Sequence, residues 1–167
     1  LFEDSPISLW EDDYSKVKQK LDQLKREGVS DFEAFFAAHP ETTMECISSI
    51  RILDANKYSV KLFNAKNKEE LLNGSNSFLN TDYINSQELV NIANGITHFE
   101  WEGVNQKLDG QLMNIKLSWS VAPGYEENLS KVIISIVDIS DRKQAEAEIS
   151  RQLSELETLY ESGLAIS

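Results

Sequence analysis

The stretch Met113–Val121 constrains the fold more than any other part of this chain. Apolar side chains occupy its odd positions and polar side chains occupy its even positions. Because side chains alternate between the two faces of a strand, this pattern predicts an antiparallel strand with one buried face. Asp109-Gly110 precedes it and predicts a hairpin turn from a partner strand, which the alternation in Phe99–Gly103 indicates. Phe99 and Trp101 then lie on the same apolar face.

Three further strands are predicted, and two of them flank a helical region. Lys131–Ile139 is apolar at both even and odd positions, so both of its faces need cover from a helix or a partner subunit. Shorter strands are predicted at Ile7–Trp10 and Ile50–Leu53. Between these two, the steps of three and four from Tyr14 onward predict helices over residues 14–49.

The C-terminal residues 140–167 form one long helical pattern that begins at Ser140, a good N-cap residue. Apolar side chains recur at alternating steps of four and three, which is the spacing of a coiled-coil seam. The seam residues are Ile149, Leu153, Leu156 and Tyr160. We predict that this helix pairs with a second copy in a homodimer; the alternative is a single helix that packs on its own domain.

Charge and composition exclude several classes of function. The 167 residues carry 16 Lys and Arg against 28 Asp and Glu, a net charge of −12. Such a surface repels nucleic acid and anionic lipid, so we expect neither as a partner. The single cysteine allows no internal disulfide and suits a reducing compartment, so we expect a cytoplasmic location. The chain begins at Leu1, and we interpret it as a segment of a longer protein.

Motifs for catalysis or metal binding are not found in the sequence. No glycine-rich loop has the spacing that holds a phosphate group. His39 and His98 are far apart and lack metal-ligand spacing, and Cys46 is interpreted as a spectator thiol in a helix. Glu11-Asp12-Asp13 is interpreted as solvated charge in a polar turn. We therefore expect no enzymatic activity in this segment.

Several short motifs, taken in order, resemble a PAS domain. The motifs of the first half are Leu53-Asp54-Ala55-Asn56, Leu62-Phe63-Asn64 and Lys68–Gly74, and those of the second half are Leu108-Asp109-Gly110 and Val137–Lys143. The resemblance implies an α+β fold: a five-stranded antiparallel sheet with helices on one face and a C-terminal signalling helix. PAS domains usually join their first two strands by a short turn. Either residues 14–49 are therefore a helical insertion, or Ile7–Trp10 is not the first strand.

The resemblance also implies a division of the chain and a set of site residues. Residues 1–139 would form a sensory domain and residues 140–167 a linker helix that leads to an output domain. A small-ligand pocket is expected between sheet and helices, with these candidates: Phe63, Phe78, Phe99, Trp101, Leu117, Trp119, Ile134 and Ile136. Asp138, Ser140 and Arg142 would relay the signal, because an acidic–basic pair bridges this junction in PAS domains. The cofactor is unknown, since the Asn-Cys-Arg run of flavin-binding members is absent and no haem signature is found.

Three hypotheses of function follow. The first is a sensory module that passes a signal through its C-terminal helix to a GAF, histidine-kinase or other output domain in bacterial or archaeal signalling. The second is a dimerisation or spacer module without a ligand. The third is a small α+β enzyme, with Asp54 as its candidate acid.

Overall fold

The computed structural model describes residues 1–74 and 86–166. This part of the chain contains five strands and seven helices. In order they are β1 (Ser8–Asp13), α1 (Ser15–Arg26), α2 (Phe32–Ala38), α3 (Pro40–Ser48), β2 (Arg51–Ala55), α4 (Lys57–Leu62), α5 (Lys68–Gly74), α6 (Ser86–Ala93), β3 (His98–Gln106), β4 (Leu112–Val121), β5 (Val132–Asp138) and α7 (Ser140–Ile166).

All five strands form one antiparallel sheet in the order β2-β1-β5-β4-β3. The predicted α+β class and five-stranded sheet are therefore confirmed. β3 and β4 form the predicted hairpin, in which Gly110 adopts the positive φ of 88° that such a turn requires. β1 lies in the interior of the sheet, between β2 and β5. The segment after Pro6 is thus the first strand, and α1–α3 are inserted between it and β2.

The register of the sheet places the apolar positions of four strands on one face, which we call the inner face. One row of paired residues crosses the sheet as Trp10, Ile134, Trp119 and Phe99, from β1 through β5 and β4 to β3. The next row is Ser8, Ile136, Leu117 and Trp101. Trp119, Ile134 and Ile136 are buried there, as the period-two pattern predicts.

Helices close the core over the inner face. Val17, Leu21 and Leu24 form the buried side of α1, as their spacing predicts, and α1 and α2 both contact α6. Tyr14, just before α1, packs edge-on against the ring of Trp119 with 5.5 Å between ring centroids. The inserted helices therefore share one hydrophobic core with the sheet.

The C-terminal helix α7 has 27 residues and leaves the domain after its first turn. Each residue from 144 to 163 is exposed, including the predicted seam residues Ile149, Leu153, Leu156 and Tyr160. The alternative that this helix packs on its own domain is therefore wrong over that range. None of the described helices is long and apolar enough to cross a membrane.

Candidate functional site

A small cavity opens at the inner face of the sheet. Its volume is about 70 Å³, and it is lined by Trp10, Asp12, Ile52, Phe63, Asn105, Leu117, Ile134 and Ile136. Four of the predicted pocket residues are among these: Phe63, Leu117, Ile134 and Ile136. Sheet strands supply every lining residue except Phe63, which directly follows α4. The rings of Trp10 and Phe63 meet at 89°, with centroids 5.4 Å apart, and form an aromatic corner.

Three other predicted pocket residues lie on the inner face but do not line this cavity. Phe99 and Trp119 stack on each other with ring centroids 4.8 Å apart, so each ring covers a face of the other. The ring of Trp101 lies over Gly103, where an added Cβ would come within 2.2 Å of it. The alternation along a strand predicts which face of the sheet a side chain occupies, but it does not predict which neighbour each ring packs against. Phe78 lies outside the described residues.

The cavity wall also includes a buried carboxyl group that the sequence analysis misplaced. Asp12 was assigned to a solvated turn, but it lies in β1 on the inner face, paired with Val132, and is only 4% exposed. No described side chain forms an ion pair with Asp12, and its Oδ1 is fully buried without a hydrogen-bond partner. Burial, with smaller contributions from the Glu88 and Glu11 carboxylates, raises the pKa of Asp12 well above its usual range. The strand register overrides the local polar run Glu11–Asp13.

A second buried acid faces the same core from α6. Glu88 is 4% exposed, and its Oε1 accepts a 2.8 Å hydrogen bond from the Tyr14 hydroxyl. Burial raises the pKa of Glu88 to about 7, although the bond from Tyr14 opposes the shift. Sequence reasoning missed this residue. The available signal was its position next to Leu89 and Val90, which are also buried.

Asn56 holds the cavity-bearing strand β1 against α4. It caps this helix, because its Oδ1 accepts from the backbone N–H of Ser59. The same oxygen accepts from the Leu9 N–H, and Nδ2 donates to the carbonyl oxygens of Phe2 and Ile7. One buried amide thus fixes where β1 begins relative to the helix that leads to Phe63.

The junction between β5 and α7 follows the cavity wall closely. Ile136 lines the cavity, and α7 begins only four residues later at Ser140. Asp138 Oδ1 accepts from the backbone N–H of Ser140, and the Ser140 hydroxyl accepts from the N–H of Asn114 in β4. These two bonds tie the helix start to the sheet.

Arg142 does not pair with Asp138 in the described structure, which corrects the predicted acidic–basic pair. Its guanidinium bonds to Glu102 of β3 and lies 3.4 Å from Glu146. Lys143 also lies 2.9 Å from Glu102. The two cations lower the pKa of Glu102 to about 2. The register explains the difference: Glu102 pairs with Lys116, and Lys116 pairs with Val137, so Glu102 lies on the face opposite Asp138.

The other candidates are accounted for by local structure. His39 Nδ1 is 2.9 Å from the Phe35 carbonyl oxygen, and His98 is exposed at the start of β3. Cys46 is buried in α3, and burial raises the pKa of its thiol to about 11. Asp54 is partly exposed and forms a 3.1 Å ion pair with Lys68. Among the described residues, no group of three or more His, Cys, Asp or Glu side chains could hold a metal ion.

Comparison with solved structures identifies the architecture. An RNA-binding light-oxygen-voltage receptor matches 95% of this chain with 15% identity and a TM-score of 0.59. This chain spans only 36% of that receptor. A light-oxygen-voltage protein from Rhodobacter sphaeroides matches 83% of this chain and 63% of its own, with 13% identity and a TM-score of 0.51. The light-oxygen-voltage domain of a blue-light-activated histidine kinase from Erythrobacter litoralis matches 81% of this chain and 98% of its own, with 13% identity and a TM-score of 0.50.

No protein-family model matches this chain, and no curated protein sequence matches it. The strand order defines an α+β domain with one antiparallel five-stranded sheet, and a small cavity lies on its inner face. More specifically, the three structures just described are light-oxygen-voltage proteins, and this chain shares their PAS fold.

Proposed function

We propose that this domain is a sensory module whose inner-face cavity binds a small molecule and whose α7 helix passes the signal to an output domain. The observation that carries the proposal is the path of β5. Ile134 and Ile136 line the cavity, and the same strand continues through Asp138 into α7. A ligand that moves this strand also moves the start of the helix.

At its start, α7 has two sets of contacts with the sheet. Asp138 and Ser140 tie α7 to β5 and β4, while Arg142 and Lys143 tie it to Glu102 of β3. The ion pairs are exposed and weak, so small strand movements can shift the balance between these contacts. We propose that ligand binding favours one arrangement, which is the requirement for a two-state signal.

The proposed receiver of the signal is a second copy of α7. Leu153 and Leu156 are 56% and 62% exposed on a helix that its own domain leaves uncovered beyond the first turn. Apolar side chains repeated at steps of four and three are stabilised when two such helices pair. Val137, 40% exposed on the outer face of β5, can extend the same interface. Catalysis would then belong to an output domain such as a histidine kinase, in the cytoplasm, and not to this segment.

The first test concerns the dimer. We expect the wild-type chain to be dimeric by sedimentation equilibrium and Leu153→Lys to be monomeric, because the substitution places a charge at the centre of the seam. Thr158→Lys is the matched control, since Thr158 lies on the opposite side of α7 and is exposed. A monomeric wild type, or equal disruption by both variants, would contradict the paired helix.

The second test concerns the cavity. A panel of small neutral, cationic and anionic compounds is screened for a rise in the melting temperature, which reports binding to the native state. We expect at least one compound to raise it in the wild type but not in Leu117→Trp, whose larger side chain fills the cavity. Overpacking costs about 1–3 kcal/mol, which a stable domain tolerates.

Ser118→Trp is the matched control for that variant. Ser118 is the next residue of β4 and lies on the outer face, so its tryptophan leaves the cavity open. It should respond to the ligand as the wild type does. A panel without any response would favour the second hypothesis, a ligand-free dimerisation module. The small volume of the cavity and the filled stack of Phe99 on Trp119 are the observations that support this alternative.

A further inference from the structure

We propose that the cavity recognises a small organic cation, a primary ammonium group on a short alkyl chain, through the carboxylate of Asp12. This inference rests on the proposed sensory function and specifies the chemical class of its ligand. Eight residues line the cavity, and Asp12 is the acidic residue among them.

Asp12 lacks the partners that a buried carboxyl group normally has. Buried acids are usually hydrogen-bonded or paired with a cation, because an isolated charge or an unmade hydrogen bond is costly. No described Lys, Arg or His side chain pairs with Asp12, and its Oδ1 has no donor. The charged groups that influence it are the acids Glu88 from α6 and Glu11 from β1, with the Tyr14 hydroxyl nearby. Both described groups that act on Asp12 through their charge are therefore acids, and the partner that it lacks is a cation.

The remaining walls fit the apolar part and the charge of such a ligand. Ile52, Leu117, Ile134 and Ile136 supply aliphatic surface, and Trp10 and Phe63 supply two aromatic rings at right angles. An ammonium group near the face of an aromatic ring is attracted by the ring quadrupole. A cavity of about 150 Å³ holds benzene, so the 70 Å³ found here corresponds to about three non-hydrogen atoms. Ethylammonium has this size.

Binding exchanges a proton for the ligand. In the empty cavity, burial and the two neighbouring acids favour the protonated form of Asp12. When the ammonium enters, the Asp12 carboxyl releases its proton to solvent, and its carboxylate accepts hydrogen bonds from the ammonium group. The charge of the cavity stays constant, because one cation replaces one proton. Affinity should therefore increase with pH as long as the empty site holds the proton.

Ethylammonium chloride and ethanol are titrated into the isotopically labelled protein at constant ionic strength, and the NMR signal of the Trp10 indole is followed. Ethanol is the neutral compound of equal size. We expect ethylammonium to bind about tenfold more tightly than ethanol, since a charge-assisted contact exceeds a neutral one. Asp12→Asn should weaken ethylammonium binding by about tenfold and reduce its pH dependence to the part that comes from Glu88. Asparagine has the size of the protonated acid, so this variant should fold.

Glu100→Gln is the matched control, because it removes a charge from the outer face of the same sheet, where Glu100 pairs with Lys116 at 3.0 Å. It should bind ethylammonium as the wild type does. Equal affinity for ethanol and ethylammonium, or equal loss in both variants, overturns the cationic ligand while leaving the sensory cavity in place. No response to either compound in the wild type overturns the cationic ligand, whereas the ligand-binding function is overturned only if the wider panel of compounds also gives no response.

Discussion

Asn56→Ala should lower the free energy of unfolding by about 3–5 kcal/mol, an exceptional loss for one side chain. Asn56 is fully buried, and its amide makes five hydrogen bonds. Its partners are the N–H groups of Leu9 and Ser59, the Ser59 hydroxyl, and the carbonyl oxygens of Phe2 and Ile7. Alanine leaves several of these groups buried without a partner. Urea unfolding of the wild type and the variant measures the difference.

Two further variants separate the cap from the long-range contacts. Asn67→Ala removes another cap, since Asn67 Oδ1 accepts from the Glu70 N–H, but Asn67 is exposed and should cost about 1 kcal/mol. Asn56→Asp keeps the acceptor oxygen but loses both donor bonds to Phe2 and Ile7, so it should also destabilise the domain strongly. If Asn56→Ala costs no more than Asn67→Ala, then Asn56 is a helix cap only.

Glu88→Gln should stabilise the domain at about pH 8 by about 3 kcal/mol and leave its stability at about pH 4 unchanged. The pKa of Glu88 rises from 4.5 to about 7 on folding, chiefly through burial. Between these two pKa values, Glu88 is therefore protonated in the native state but ionised in the unfolded state. The contribution of Glu88 to the free energy of unfolding is complete below pH 4.5 and disappears as the pH rises through 7. Glutamine is uncharged at every pH and can still accept the hydrogen bond from Tyr14.

The difference in unfolding free energy between wild type and variant is measured across this pH range, because other acids also contribute to the wild-type curve. Asp12 contributes with the same sign, since its pKa is raised as well. Glu69→Gln, at an exposed position of α5, is the control and should follow the wild type throughout. Parallel curves for wild type and Glu88→Gln would show that burial does not shift Glu88 as described.

Most of the sheet could be predicted because its signals are local. The alternation in Met113–Val121 and the Asp109-Gly110 turn each involve neighbouring residues, and both are confirmed by β4 and the β3–β4 hairpin. The period of an exposed seam is equally local, so the 27-residue helix α7 was predicted from Ser140 onward. Only the pairing of that helix with a second copy remains a prediction.

The candidate site was only partly predictable, because a cavity depends on which side chains meet across the sheet. The inner face was correct for Phe99, Trp101 and Trp119, but these rings pack against one another or over Gly103 instead of lining the cavity. In the same way, Arg142 finds Glu102 across three strands rather than Asp138 four residues away. Neither choice has a signal in the local sequence.

The sequence by itself determined the strands, the helix periods and the face that each apolar residue occupies, because these depend on residue spacing within one element. Only the tertiary structure decided that Asp12 and Glu88 are buried acids. The run Glu11–Asp13 is polar in any local window, and burial came from the pairing of β1 between β2 and β5 under the inserted helices. A residue's solvent environment is set by the elements packed against it, and those lie more than 70 residues apart for Tyr14 and Glu88.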